Sequence, residues 1–290
     1  MKKNAVGYAF ISPWLIGFLV FTAGPIFASM YLSFTRYDII NKPVWIGIVN
    51  YKEMFFRDPL FWKSMSVTLT YAIVAVPIGV IAGLAIALIL NMDLKGMAVY
   101  RTIFYLPSIV PVVATSMVFL WILNPQIGLV NQLLMRFGIT GPSWFRDPKW
   151  ALWSLVLMGM WGVGGSMIIY LAGLKDIPTH LYEAANIDGA NAWQRTRHVT
   201  LPMMTPVIFF NLVMGIIGTF QYFTAAFIVS NGQGGPVDST HFYALYLFNR
   251  AWRYYDMGYA CAMAWVLFLL VVIITAGVFK TQAKWVHSGN

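Results

Sequence analysis

Residues 183–202 read EAANIDGANAWQRTRHVTLP, from Glu183 to Pro202. The stretch lies between the fourth and fifth long apolar runs of a very hydrophobic chain. With Glu183, Asp188, Arg195 and Arg197 it is too polar to enter a bilayer. Its local signals describe two short helices joined at a glycine. Pro178 suits a first helical turn, Leu181, Ala184 and Ala185 give a small apolar face, and Gly189 supplies the positive φ that ends a helix. Asn191 with Gln194 three residues later has the pattern of a capping box. Pro202 and Pro206 mark where the next membrane segment must start or kink. The expected product is a compact helix-turn-helix held to the membrane at both ends.

Outward from this stretch, charge position organises the chain. Of 290 residues, 59% are hydrophobic, 17% aromatic and only 10% charged, a composition for one membrane domain and not for two soluble ones. Six uncharged stretches stand out: Asn4 to Thr35, Ser64 to Met92, Thr102 to Met135, Trp150 to Leu174, Val199 to Val237 and Met257 to Phe279. Each exceeds the roughly 20 residues that cross a hydrocarbon core. Membrane helices are therefore expected at about 8–34, 65–91, 102–123, 151–174, 203–229 and 257–279, with the polar loop at 176–202. Six spans put both termini on one side.

The register of EAANIDGANAWQRTRHVTLP is also specific. It resembles the EAA loop of ABC-importer permeases, whose pattern is Glu-Ala-Ala, three residues, Gly, nine residues, Ile or Val, any residue, Leu-Pro. Glu183, Ala184, Ala185, Gly189, Val199, Leu201 and Pro202 fall on it in register. The resemblance implies a coupling element, a short helix seated in a cleft of an ATP-hydrolysing subunit, and assigns that role to Glu183, Ala184, Ala185, Asp188 and Gly189. The chemistry agrees: small residues allow close approach, and Glu183 offers a charge-assisted hydrogen bond to a basic group. The plainer reading of an isolated Glu-Ala-Ala is a solvated helix whose Glu favours its own first turn.

A second resemblance covers the loop before the second span. VWIGIVNYKEMFFRDPLFWKSMSVTLTY is similar to the first-named permease of sugar importers, where Gly-x-x-Asn-Tyr and Asp-Pro-x-Phe-Trp recur; Gly47, Asn50, Tyr51, Asp58, Pro59, Phe61 and Trp62 match. Physically, Asp58-Pro59 predicts a turn, and Phe61 with Trp62 an amphipathic belt at headgroup level. Pro107 and Pro111 predict an irregular third helix, and Gly159, Gly162, Gly164 and Gly165 small surfaces on the fourth that let helices approach. The apolar residues before Lys149 suggest an interfacial helix, and NGQGGP at 231–236 a glycine-rich outer loop. The sixth helix is expected to end at Lys280.

Absences narrow the function. There is no G-x-x-x-x-G-K-[ST], so the chain does not cradle nucleotide phosphates and no cofactor of its own is expected. His180, His198, His241 and His287 are scattered without metal-ligand spacing, and Cys261 stands alone inside the sixth span as a small packing residue. No catalytic constellation is present, so no enzyme is expected. The net charge of +9 sits in membrane-flanking loops with no basic stripe, so lipid headgroups and not nucleic acid are its counterions. All ten Asp and Glu lie outside the uncharged runs. Carriers driven by protons or sodium ions usually place carboxylates at bilayer depth, so energy for uphill transport has to come from another subunit.

On the fifth helix Asn211, Gly215, Gly218 and Tyr222 form a polar and small stripe, with Gln221 beside it. Two readings stay open: packing between helices, or the wall of a translocation path. In the resembling family, residues just ahead of the Gly-Gly-Pro loop contact sugar, which implies that role for Gln221 and Tyr222; the path reading adds Asn211 and Gly218 from the stripe and Trp161 as a stacking face. Aromatic faces with amide donors suit a carbohydrate.

The resemblance as a whole implies an all-α integral membrane protein with six transmembrane helices, the type I ABC importer permease fold, as a single domain over 1–290. It implies a heterodimer with a second homologous permease, two ATP-binding subunits and an extracellular solute-binding protein. The implied location is a bacterial or archaeal cytoplasmic membrane, with both termini cytoplasmic. Basic residues alone divide too evenly between the two faces to orient it. A permease for glycerol phosphate or a polyamine, or a secondary carrier, are the alternatives.

Overall fold

The computed structural model describes residues 2–287. In chain order the elements are α1 (Lys2–Phe18), a π turn (Leu19–Ala23), α2 (Gly24–Leu32), β1 (Thr35–Arg36), β2 (Val44–Trp45), α3 (Val49–Phe56), α4 (Pro59–Leu90), α5 (Met97–Ile109) and α6 (Val112–Ile122). They continue with α7 (Leu129–Arg136), α8 (Pro148–Trp161), α9 (Gly164–Lys175), α10 (Thr179–Ile187), α11 (Ala192–Arg195), a second π turn (Thr196–Thr200), α12 (Leu201–Phe220) and α13 (Thr224–Val229). α14 (Tyr243–Phe248), a third π turn (Asn249–Arg253) and α15 (Met257–Trp285) follow within the described residues. β1 and β2 pair antiparallel, Thr35 opposite Trp45.

Among the described residues four segments are long and apolar enough to cross a membrane: Phe10–Leu32, Pro59–Leu90, Ala192–Val229 and Met257–Trp285. Two bent pairs make six if each is one span. The third expected helix is more than irregular: α5 and α6 meet at 97°. The break is at Val110, whose extended backbone (φ −68°, ψ 130°) is what a following proline enforces. α8 and α9 meet at 47° across the glycine-rich segment at Gly162. The fifth helix departs from expectation at both ends. α11 is not a separate helix but runs through the π turn into α12, because Leu201 donates to the Thr196 carbonyl five residues back and so widens the ladder just before Pro202. The helix then unwinds at Gln221–Phe223 before α13, so the stripe from Asn211 to Tyr222 does not stay on one helical face. α15 continues past Lys280 because Phe209 packs its ring on Phe279 (4.9 Å between centroids) and Trp285 (5.8 Å).

By internal contacts the chain forms two compact units, Met1–Trp62 with Tyr246–Leu270, and Lys63–Leu245 with Val271–Asn290. In the first, Asn50 donates its amide to the Ser33 and Thr35 carbonyls, both at 2.9 Å, and Tyr51 donates to the Ser33 hydroxyl. Asp58 is a helix cap and not only a turn. Its Oδ1 accepts the Leu60 and Phe61 amides, which supplies the free donors at the start of α4. Burial alone would raise the Asp58 carboxyl, but hydroxyls from Tyr246 and Tyr259, the Phe61 amide and the Arg250 guanidinium hold it below its ordinary value. The two residues expected to form a belt differ in exposure. Phe61 is fully buried, edge-on to Phe55 and Trp62, whereas Trp62 stays exposed and donates its Nε1 to the Phe55 carbonyl.

The second unit has two apolar cores at opposite ends of α4, about 24 Å apart along its axis at 1.5 Å per residue. One gathers Val67, Tyr71, Phe119, Leu123, Leu155 and Phe242. The other gathers Ala87, Leu90, Met167, Tyr170, Leu174 and Met204. Of the four glycines expected to allow close approach, Gly164 does so most tightly: a Cβ there would collide with the Phe104 carbonyl of α5.

Candidate functional site: a coupling loop and two cavities

The loop folds as its short-range signals require. α10 ends in a full Schellman closure: Ala190 donates to the Ala185 carbonyl (2.9 Å) and Gly189 to that of Asn186 (3.1 Å), with Gly189 at φ +76°. Both bonds of the capping box are made, Gln194 N–H to Asn191 Oδ1 and Asn191 N–H to Gln194 Oε1. Pro178 is the residue just before α10 and not part of its first turn. Arg195 ties the helices together through a 2.5 Å bond to Asn186 Oδ1.

Glu183, Ala184, Asp188 and Gly189 are exposed, and Ala185 is half-buried. The underside is anchored. Leu181, Tyr182 and Val199 pack on the core of Leu90, Tyr170 and Met204, and the Tyr182 and Thr200 hydroxyls share a 2.9 Å hydrogen bond. The underside of the loop is thus packed, through these side chains, against α4, α9 and α12. Ile187 (87% exposed) and Trp193 (69% exposed) are apolar residues on the same surface that motif reading passed over. Their signal was available, since each is a large apolar side chain inside an otherwise polar loop.

Of the path candidates, the structure distributes rather than groups the residues. Asn211 lines a cavity of about 280 Å³ with Tyr71, Gly79, Ser166, Tyr170 and Thr219. Its amide donates to the Val207 carbonyl, leaving Oδ1 without a hydrogen bond among the described residues. The buried Tyr170 hydroxyl has no hydrogen-bond partner among the described residues either. Tyr222 and Trp161 line a second cavity, also about 280 Å³, with Ser108 and Thr115. Gly159 and Gly162, at the bend between α8 and α9, line both cavities. Tyr71 lines the first cavity and packs at a tilt on Tyr222, 4.6 Å between ring centroids, so this ring pair stands between the two.

Gly218 and Gln221 line neither cavity. Gly218 has open space where a Cβ would stand, and Gln221 is exposed at the end of α12, turned away because the helix unwinds there. Tyr71, Tyr170 and Thr219 are cavity residues that sequence reasoning missed. They lie on three different helices, α4, α9 and α12, with nothing in the order of residues to bring them together. No group of His, Cys, Asp and Glu able to hold a metal occurs among the described residues. His180 and His198 are exposed, and Cys261 is buried.

Residues 61–286 match the protein family described as binding-protein-dependent transport system inner membrane component. The chain is 51% identical over 288 residues to the probable ABC transporter permease protein YesP of Bacillus subtilis (strain 168), covering 99% of this chain and 93% of that one. It is 34% identical to the lactose transport system permease protein LacF of Rhizobium radiobacter, covering 93% and 91%. Its fold is similar to a chain in the crystal structure of a bacterial alginate ABC transporter in complex with alginate pentasaccharide-bound periplasmic protein, with a TM-score of 0.86 at 22% identity over 100% and 98% of the two chains. A helical membrane protein of the type I permease fold, matched along most of its length, this chain belongs to the binding-protein-dependent inner membrane components, the permeases of ABC transporters.

Proposed function

We propose that the chain is one of two different permease subunits of an ATP-driven importer, and that it passes a carbohydrate from an extracellular solute-binding protein into the cytoplasm. The observation that carries the reading is the loop at 183–189, exposed on one face and packed on the other against the core that holds α4, α9 and α12. Such an element transmits force; it has no use in a passive channel. Hydrolysis belongs to two separate ATP-binding subunits, one of them seated on this loop, which puts the loop and both termini in the cytoplasm of a bacterial or archaeal cell. All ten carboxylates lie outside the uncharged runs, which supports an outside energy source.

A carbohydrate suits the lining. Tyr71, Tyr170 and Trp161 offer apolar faces, while Asn211, Ser166, Thr219 and Ser108 offer polar contacts for hydroxyls. A sugar also agrees with the lactose and alginate systems named among the relatives and neighbours. Each cavity falls just below the roughly 300–1,000 Å³ of ordinary ligand sites, so the second permease is needed to complete a path.

The test is ATPase stimulation of the purified complex by its binding protein, loaded in turn with carbohydrates, glycerol phosphate and polyamines. Stimulation by carbohydrates is expected; stimulation by one of the others alone would assign a different solute. Asn211→Ala should raise the apparent KM for solute-dependent turnover about fivefold, the value of one hydrogen bond of about 1 kcal/mol. An unchanged KM would return Asn211 to helix packing.

A further inference from the structure

The two motifs of the first outer loop, Gly47-x-x-Asn50-Tyr51 and Asp58-Pro59-x-Phe61-Trp62, belong neither to the coupling loop nor to the cavities. Their residues hold the first unit together. Asp58, 8% exposed, uses both carboxylate oxygens. Oδ1 caps α4 as described, and Oδ2 accepts the Tyr246 and Tyr259 hydroxyls, each at 2.5 Å, and Arg250 Nη2 at 3.2 Å. Arg250 also donates its Nε to the Tyr246 hydroxyl at 2.8 Å and reaches Asp256 at 3.5 Å. Its guanidinium lies 4.4 Å from the centroid of the Tyr259 ring. Residues nearly 200 apart in the chain are thus joined through one oxygen atom. Asn50 and Tyr51 secure 33–35, and Gly258 donates to the Tyr37 carbonyl from a position where a Cβ would strike the Thr35 carbonyl.

We propose that Asp58 is a positioning residue: its carboxylate fixes the 246–259 segment against the start of α4, and so holds the outer-loop surface in the conformation that the solute-loaded binding protein recognises. The proposal rests on the function proposed above. By the alternation of spans, 36–63 lies on the face opposite the coupling loop, the face from which an importer receives its solute. A docking surface already ordered loses less freedom when its partner arrives, so removing the clamp weakens encounter and not turnover. Deleting the buried carboxylate alone is also costly, because it leaves the half-buried Arg250 guanidinium with only the longer 3.5 Å carboxylate contact to Asp256.

The experiment uses the complete transporter in lipid nanodiscs with Asp58→Asn, which retains a capping oxygen but loses the charge. The apparent KM for solute-loaded binding protein in ATPase stimulation is expected to rise about tenfold, with basal and saturated rates within twofold of wild type. Deuterium uptake at 246–256 and 33–37 should quicken at least tenfold, with 183–202 unchanged. If Asp58→Asn does not assemble, Tyr259→Phe, lacking one hydroxyl, should give the same pattern at about threefold. Faster exchange with an unchanged KM would overturn the positioning role, and unchanged exchange would overturn the clamp itself. A wild-type complex that no loaded binding protein stimulates would instead contradict the proposed function, while the exchange measurement still decides the clamp.

Discussion

Replacing Gly189 with valine is expected to leave the chain inserted and assembled, to cut solute uptake into proteoliposomes at least tenfold, and to leave ATP hydrolysis running without it. A Cβ at Gly189 meets nothing within 4 Å, so the effect does not come from a clash. It comes from the backbone: φ is +76°, and a β-branched residue held there costs roughly 1–3 kcal/mol. The strain falls on the two hydrogen bonds, from Ala190 to Ala185 and from Gly189 to Asn186, that close α10. Without them the last turn frays, and the exposed surface that carries Glu183 and Ala184 no longer moves as a piece with the core beneath it. Gly189→Asn, which tolerates the left-handed region, should retain most uptake. Glu183→Lys should resemble the valine variant without any cost in folding, because Glu183 is exposed. Wild-type uptake in both Gly189→Val and Glu183→Lys would remove the loop from the mechanism.

Gly164→Leu is expected to act on the fold instead. Its Cβ would overlap the Phe104 carbonyl and stand 2.9 Å from the Tyr105 Cα, and backbone atoms cannot turn aside as a side chain can. α5 and α9 must separate, at a cost of about 2–3 kcal/mol, and the melting temperature in detergent should fall by at least about 5 °C. The neighbouring Gly165→Ala is the control. Its nearest contact is the Ser108 Cβ at 3.9 Å, an ordinary distance, so its melting temperature should match wild type. Equal melting of Gly164→Leu and wild type would mean that this close approach is not required.

The contrast between these two glycines shows where the sequence is legible. Gly189 could be read because a helix end is a local event: the motif spacing, Gly189 itself and the Asn191–Gln194 pair lie within a few turns of one another. The membrane segments were legible for a similar reason, since a missing charge over twenty residues needs no knowledge of neighbours. Gly164 was legible only as one small residue among four. Which of them touches a backbone depends on the bend between α8 and α9, and that is set by packing.

Pro111 likewise announced a break but not an angle of 97°, which two helices settle between themselves. The unwinding at Gln221–Phe223 carries no proline or glycine of its own, so the stripe from Asn211 to Tyr222 looked continuous. Asp58 misled most. Beside a proline it has the look of a turn, and its true partners, Tyr246, Arg250 and Tyr259, stand nearly two hundred residues away. The candidate site divides in the same way: the coupling surface is written locally, whereas the cavities are assembled from single residues such as Tyr71, Tyr170 and Thr219 on separate helices.

The central claim is that this permease has no power of its own and receives it through residues 183–189. Solute uptake into liposomes bearing the two permease subunits, with binding protein outside and ATP inside, measured with and without the ATP-hydrolysing subunits, tests this most directly. Accumulation against a gradient is expected only when those subunits are present. Accumulation by the permeases alone would contradict the account.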